Sequence, residues 1–309
     1  MINSINKIKR LACALCLLSA AGSPAMAVEP NAPFAMPGGA TIGIPVGANP
    51  PPGHYLSFRS QFSRGNVVDN SGNAIPVSPD INSLFLSYSY VPGIEILGGT
   101  YRFSAGIPLL FNSQTAFGLK TTAKGIGDIT ISPINVSWVL SPGIFASAGM
   151  SFSLATGSFK PDGVSMNLGS GKNSASLLFG LSYLRDGWNL STGSALTVYA
   201  ENPKTRYRSG AELLIDVTAM KAVSDSFSIG PVGYWRKQIS DDANNGTVLL
   251  GGGTLDRAEQ LGIGIGVEKR FGRGSLNVNL IKNLRTRNTY DAPVLAVNYS
   301  IPIGGQRPR

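Results

Sequence analysis

The links between strand-like segments in this chain are by turns tight and long, and few folds need that asymmetry. About twelve stretches alternate apolar residues with small polar ones. The tight links read VPGIE, SPG, RDG, VSDS and GRG. The long ones include GNVVDNSGNAIPVSPD, ATGSFKPDGVSMNLGSGKN and SDDANNGTVLLGGGTLDRA. Alternation with period two marks strands that present different environments to their two faces. Short turns on one side and long loops on the other suit an antiparallel up-and-down barrel threaded through a bacterial outer membrane.

The amino-terminal residues read as an export signal. Lys7, Lys9 and Arg10 form a positive stretch, LACALCLLSAA is the apolar core, and Ala25-Met26-Ala27 offers a small-x-small cleavage site before Val28. The apolar run is too short to span a bilayer as a helix. Neither Cys13 nor Cys16 has the small-residue context of a lipid-anchoring site. Both cysteines of the chain lie in this segment, so the mature protein is expected to have no disulfide, thiolate metal site or cysteine nucleophile. Removal of residues 1–27 also takes away three cations and lowers the net charge from +9 to +6.

Charged residues make up 14 % of the chain, against about 25 % in an ordinary soluble domain. After the signal, no apolar run reaches the ~18 residues of a transmembrane helix. In lipid every backbone group needs an internal partner, so only helices and closed barrels cross. An exported, charge-poor, glycine-rich chain without such a run is therefore read as an all-β transmembrane barrel. The expected strands are 54–64, 82–92, 97–109, 126–141, 143–155, 174–184, 187–200, 207–221, 226–240, 259–271, 274–284 and 292–303. An even count leaves both ends on the periplasmic side. The domain reading is a signal at 1–27, a Pro/Gly-rich segment at 28–53, the barrel at 54–303 and a tail at 304–309.

Parity fixes which face meets lipid. In the eighth expected strand Ala211, Leu213, Ile215 and Val217 oppose Arg208, Glu212 and Asp216. A basic residue facing lipid near the midplane costs roughly 2–4 kcal/mol, and acids somewhat less. Turning the strand over would approach the roughly 5–15 kcal/mol net stability of a whole fold. The charged face must look inward. A soluble sandwich also alternates, but its exposed face normally carries Lys, Glu and Thr, whereas the polar face here is mostly Ser, Gly, Asn and Thr. Aromatics near strand ends are expected to form two girdles, with Tyr90, Tyr101, Trp138, Trp188 and Phe271 toward the turns, and Tyr199, Tyr207 and Trp235 toward the loops.

The inward positions define the candidate solute path: Arg59, Arg102, Arg208, Glu212, Asp216, Arg236, Gln238, Glu268 and Arg270. The mixed charges read either as ion pairs across the lumen or as a selectivity ring, since arginine rings favour anions. Gly262, Gly264 and Gly266 share the inward parity and read as a small-residue wall or a groove for close approach. Residues 28–53 carry one charge, Glu29. They read as a disordered linker or as a plug whose Phe34, Met36, Ile42, Ile44 and Val46 pack inside the lumen. Catalysis finds little support. His54 is the only histidine, and the topology puts it at the periplasmic end, a membrane away from Asp241-Asp242. Gly125-Ile-Gly127-Asp128 is followed by a strand pattern rather than the helix a phosphate loop requires. No cofactor, metal or nucleic-acid site is expected. The expected partners of a monomer are membrane lipid, lipopolysaccharide and small solutes.

Several stretches together resemble the family called MetA-pathway of phenol degradation. They are Gly43-Ile44-Pro45 through Asn49-Pro50-Pro51-Pro52-Gly53-His54-Tyr55, GIGDITISPINVSW at 125–138, FSLATGSF at 152–159, RDGWNLS at 185–191, YRSGAELLIDVTAMKAV at 207–223 and IGPVGYWRKQISDD at 229–242. The last holds Gly233, Tyr234, Gln238 and Asp241 where the family tends to show these residue types. The chain departs at Ala155-Thr156-Gly157, where the family tends to have Pro-Thr-Gly, which bears on one loop only. The resemblance implies an outer-membrane transporter linked to aromatic-compound catabolism and carries over no catalytic residue. A non-transporting barrel with adhesive or structural loops is the alternative.

Overall fold

The computed structural model describes Glu29, residues 32–163 and residues 165–304. The expected signal at 1–27 and most of the tail lie outside the described residues. Twelve strands form the wall: β1 (Gly53–Arg64), β2 (Val77–Val91), β3 (Gly99–Ala116), β4 (Ile129–Ser141), β5 (Ile144–Leu154), β6 (Ser174–Arg185), β7 (Trp188–Tyr199), β8 (Glu212–Ser224), β9 (Phe227–Gln238), β10 (Glu259–Phe271), β11 (Gly274–Arg287) and β12 (Val294–Gly304). Every strand pairs antiparallel with its sequence neighbours, and β1 pairs with β12 from His54↔Gly304 to Ser63↔Val294. The sheet closes on itself, which removes the free edges that a bilayer could not satisfy.

Local chemistry explains the turns. Asp186 and Gly187 have φ of 53° and 72°, with Arg185 paired to Trp188. Two left-handed residues between paired strand ends make the hairpin turn for which Asp-Gly is suited. The long loops carry their own small ladders: Asn66–Val68 with Thr289–Asp291, Tyr207–Arg208 with Ala243–Asn244, and Leu119–Ile126 folded back along the end of β3. The expected eighth strand therefore starts too early. Residues 207–208 belong to a loop ladder, and the wall strand begins at Glu212. Residues 39–47 form turns rather than an additional strand.

Leu181, Phe179, Val217, Ile263, Ile265 and Leu280 are exposed on the outer wall, the apolar band that lipid covers. Tyr90, Trp188 and Phe271 are exposed at the short-turn end. The other girdle is sparser than expected. Tyr199 and Tyr207 are buried, because Tyr199 has inward parity and Tyr207 sits in the loop ladder. Trp235 stays outside, its indole donating to Glu259 at 3.1 Å.

Candidate functional site: the lumen and the segment within it

Residues 32–52 make their contacts with inward-facing wall residues. Asp216 on β8 accepts from the backbone N–H of Gly39 at 2.9 Å and of Thr41 at 2.7 Å, and from the Thr41 hydroxyl at 2.8 Å. Further along, Thr218 accepts from Gly43 N–H, Ser182 accepts from Gly47 N–H, and Ser147 and Ser137 donate to the carbonyls of Val46 and Gly47. Asn49 donates to the Thr100 carbonyl at 2.8 Å. The segment's turns pair only part of its own backbone, at the N–H groups of Ala40, Ile42, Ile44, Val46 and Ala48, and wall side chains supply partners for Gly39, Thr41, Gly43 and Gly47.

Apolar contacts reinforce this seam. Ile42 is fully buried among Ala195, Leu214, Val232, Tyr234, Ile281, Val294 and Ala296, with Met36 and Ala40 packed alongside. Burying one such side chain is worth about 1.5–3 kcal/mol. Phe34 lies beneath the Arg236 guanidinium. Val46 is half-buried, whereas Ile44 is exposed toward the cavity described below.

The charged positions separate into distinct environments. Arg236 pairs with Glu212 at 3.0 Å, and both are buried, with Gln260 and the Tyr199 hydroxyl completing the cluster. Gln238 is buried beside Asp242, to which it donates at 2.8 Å. Arg59 donates to the Gly39 carbonyl at 2.7 Å and to Asn298 at 3.0 Å, bridging wall and segment. Glu268 accepts from Ser275 and lies 3.5 Å from Arg270 near the short-turn end. Arg102 faces the cavity, and its Nε is buried without a hydrogen-bond partner. Arg208 does not belong to the path: it sits exposed in the Tyr207–Arg208 ladder, because the wall strand begins four residues later.

Gly262, Gly264 and Gly266 do face inward, yet none of them lines the cavity. A Cβ on Gly262 would come within 2.6 Å of the Tyr234 ring, one on Gly264 within 2.0 Å of the Leu280 carbonyl, and one on Gly266 within 2.6 Å of Asn279. The stripe gives room to neighbouring side chains, and Tyr234 in turn supports Gly38 and Gly39 of the segment.

At the long-loop end, Glu29 is fully buried and pairs with Lys172 at 2.8 Å. Asn202 and Thr205 also donate to Glu29, and Ser209 accepts from its N–H. Burial pushes the Lys172 ammonium down from its ordinary range, and Glu29 opposes that shift. Glu29 was visible as the segment's only charge, but its partners come from two loops with no spacing signal.

A cavity of about 1670 Å³ remains beside the segment. It extends from Arg273 and Tyr299 at the short-turn end to Met166 and Tyr290 among the long loops, along the inner faces of β12 and of β1 to β6. The segment's bonds to Asp216 and Thr218 and its packing around Ile42 hold it against β8, β9 and β11. His54 lies on the outer side, its ring nitrogen 2.7 Å from the Tyr88 hydroxyl and its ring stacked on Tyr90. Asp241 pairs with Arg257 at 2.7 Å in the loops. Among the described residues no group of three His, Cys, Asp or Glu side chains could hold a metal ion.

Residues 64–299 match the family described as "Putative MetA-pathway of phenol degradation". The chain belongs to this family. Among solved structures, this MetA-pathway family barrel is similar to an outer membrane channel from Pseudomonas putida F1, with a TM-score of 0.71, 16 % identity, and coverage of 82 % of this chain and 96 % of that one. The β domain of the Bordetella autotransporter BrkA aligns at a TM-score of 0.47 and 11 % identity, over 81 % of this chain and all 100 % of its own. These likenesses concern the fold. No curated protein matches the chain in sequence.

Proposed function

We propose that this barrel is an outer-membrane channel for small hydrophobic or aromatic solutes, with residues 28–53 as a plug that narrows the lumen. The cavity beside the segment carries this reading, because it joins residues at both ends of the wall. The family's link to phenol degradation and the channel of similar fold support it. The chain reaches the membrane as an exported precursor, loses residues 1–27 and works there as a monomer among lipid and lipopolysaccharide. It moves solutes rather than transforming them, since its one histidine is turned toward lipid, away from the lumen.

The test is reconstitution of the mature protein in planar bilayers and liposomes. Discrete conductance steps and swelling in small phenolic solutes are expected, and deletion of residues 28–50 should raise the single-channel conductance. Absence of any solute flux would sink the channel reading in favour of a barrel that acts through its loops. Unchanged conductance on deletion would remove the plug while leaving the channel.

A further inference from the structure

The cavity wall opposite the segment carries rows of hydroxyls among apolar residues such as Ile81, Phe85 and Leu110, and such rows are unexpected for a path serving apolar solutes alone. Ser89 on β2, Ser104 on β3 and Ser132 on β4 stand directly opposite one another in the ladders, and all line the cavity. A second row follows, with Ser300, Ser57 and Ser87 in register across β12, β1 and β2. A hydroxyl has one hydrogen to donate; Ser57 and Ser300 share one bond between themselves at 2.9 Å, which leaves one donor of that pair for a passing acceptor.

Arg102 lies on the same face as Ser104, two residues before it on β3. Its Nε is buried without a partner, and it forms no ion pair among the described residues. Among the other cations of the lumen, Arg236 is engaged by Glu212 and Arg59 by the Gly39 carbonyl and Asn298, while Arg273, which also carries no ion pair among the described residues, is exposed at the short-turn mouth. The carboxylates that line the cavity are Asp128, Asp186, Asp225 and Glu268. Asp128 is held by Gly157 and Ser170 near the long loops. Asp186 and Glu268 sit beside Arg185 and Arg270 at the other end. A largely buried guanidinium without a counter-charge is costly, and an anion in the cavity would relieve that cost through two parallel N–H···O bonds.

We propose that Arg102 is an anion-binding residue of this passage, and that the solutes it favours are small organic carboxylates, aromatic ones included, handed along the serine rows. This rests on the channel reading and names its solute class.

The experiment is a reversal-potential measurement across a KCl gradient on the reconstituted mature chain, followed by titration with benzoate. Wild type is expected to prefer chloride over potassium and to show block by benzoate. R102Q should lower the anion-to-cation permeability ratio roughly threefold or more and abolish the block. R102K should keep the ion preference and weaken the block, because an ammonium cannot make the two-pronged contact. R102Q channels with unaltered selectivity and block would overturn the assignment while leaving the channel intact. Should R102Q fail to fold, equal benzoate block in wild type and R102K would overturn it. No current from wild type would overturn the channel reading and this one together.

Discussion

Lys172 and Glu29 form a fully buried ion pair, 2.8 Å apart, between a long loop and the start of the Pro/Gly-rich segment. Removing one partner of a buried pair leaves an uncompensated charge and typically costs about 3–5 kcal/mol. Here that cost can be escaped if the segment leaves its seat. Lys172→Met should therefore shift single-channel conductance toward the value for the 28–50 deletion. The double variant Glu29→Gln with Lys172→Met should shift it less, since no orphaned acid remains. Equal conductance in wild type and Lys172→Met would show that this pair does not hold the segment.

Asp216 is the second anchor, with three donors from Gly39 and Thr41 converging on one carboxylate. Asp216→Ala should lower the stability of the seated segment by about 1–3 kcal/mol, the cost of unpaired buried polar groups. Asp216→Asn, which keeps one acceptor oxygen, should lower it less. Proteinase K cleavage within residues 32–52 measures this directly, and the expected order of rates is Ala, then Asn, then wild type.

The wall was legible in the sequence because parity is a local property. Ser83, Ser87 and Ser89 against Leu84, Leu86 and Tyr88 already assign the faces of β2, and the short-long rhythm assigns the ends. The contents of the lumen were legible only in part. Apolar side chains in residues 28–53 hinted at packing, but Thr41 meets Asp216 across a separation of 175 residues, and no spacing encodes that. Arg208 misled because its parity continues that of Glu212. The interruption at 209–211 is set by the loop ladder with Ala243–Asn244, a tertiary contact. Tyr199 and Tyr207 lie near strand ends and so read as girdle, but Tyr199 has the inward parity of β7 and reaches Glu212, and Tyr207 is buried within the loop ladder.

The glycine stripe of β10 makes a structural prediction that differs from a ligand groove. Gly262→Val would drive its Cβ into the Tyr234 ring and disturb the hydroxyl bond from Tyr234 to Asn283. Overpacking of this kind costs about 1–3 kcal/mol. Urea unfolding in liposomes should show that loss, with conductance rising as Tyr234 releases Gly38. Unaltered stability with altered solute preference would instead make the stripe part of the solute path.

Asp242 offers a pH-dependent test in the loops. It accepts from Gly210 N–H, from Gln238 and from the Tyr207 hydroxyl. Burial nevertheless pushes its carboxyl above the usual range, and burial first, then Asp242, pushes Tyr207 up as well. A carboxyl with a raised folded pKa holds its proton more tightly in the native state. Its contribution is therefore fully present below the ordinary carboxylate pKa and is lost as pH rises through the raised value. Asp242→Asn removes the ionisation and keeps the acceptor for Gly210 and Gln238. It should flatten this pH dependence from the ordinary carboxylate pKa of about 4 upward and stay within about 1 kcal/mol of wild type at neutrality. Asp242→Ala, which strands all three donors, should lose about 1–3 kcal/mol at every pH. Urea midpoints of the three proteins across that range decide the matter, and a wild-type slope that persists in Asp242→Asn would assign the titration to another group.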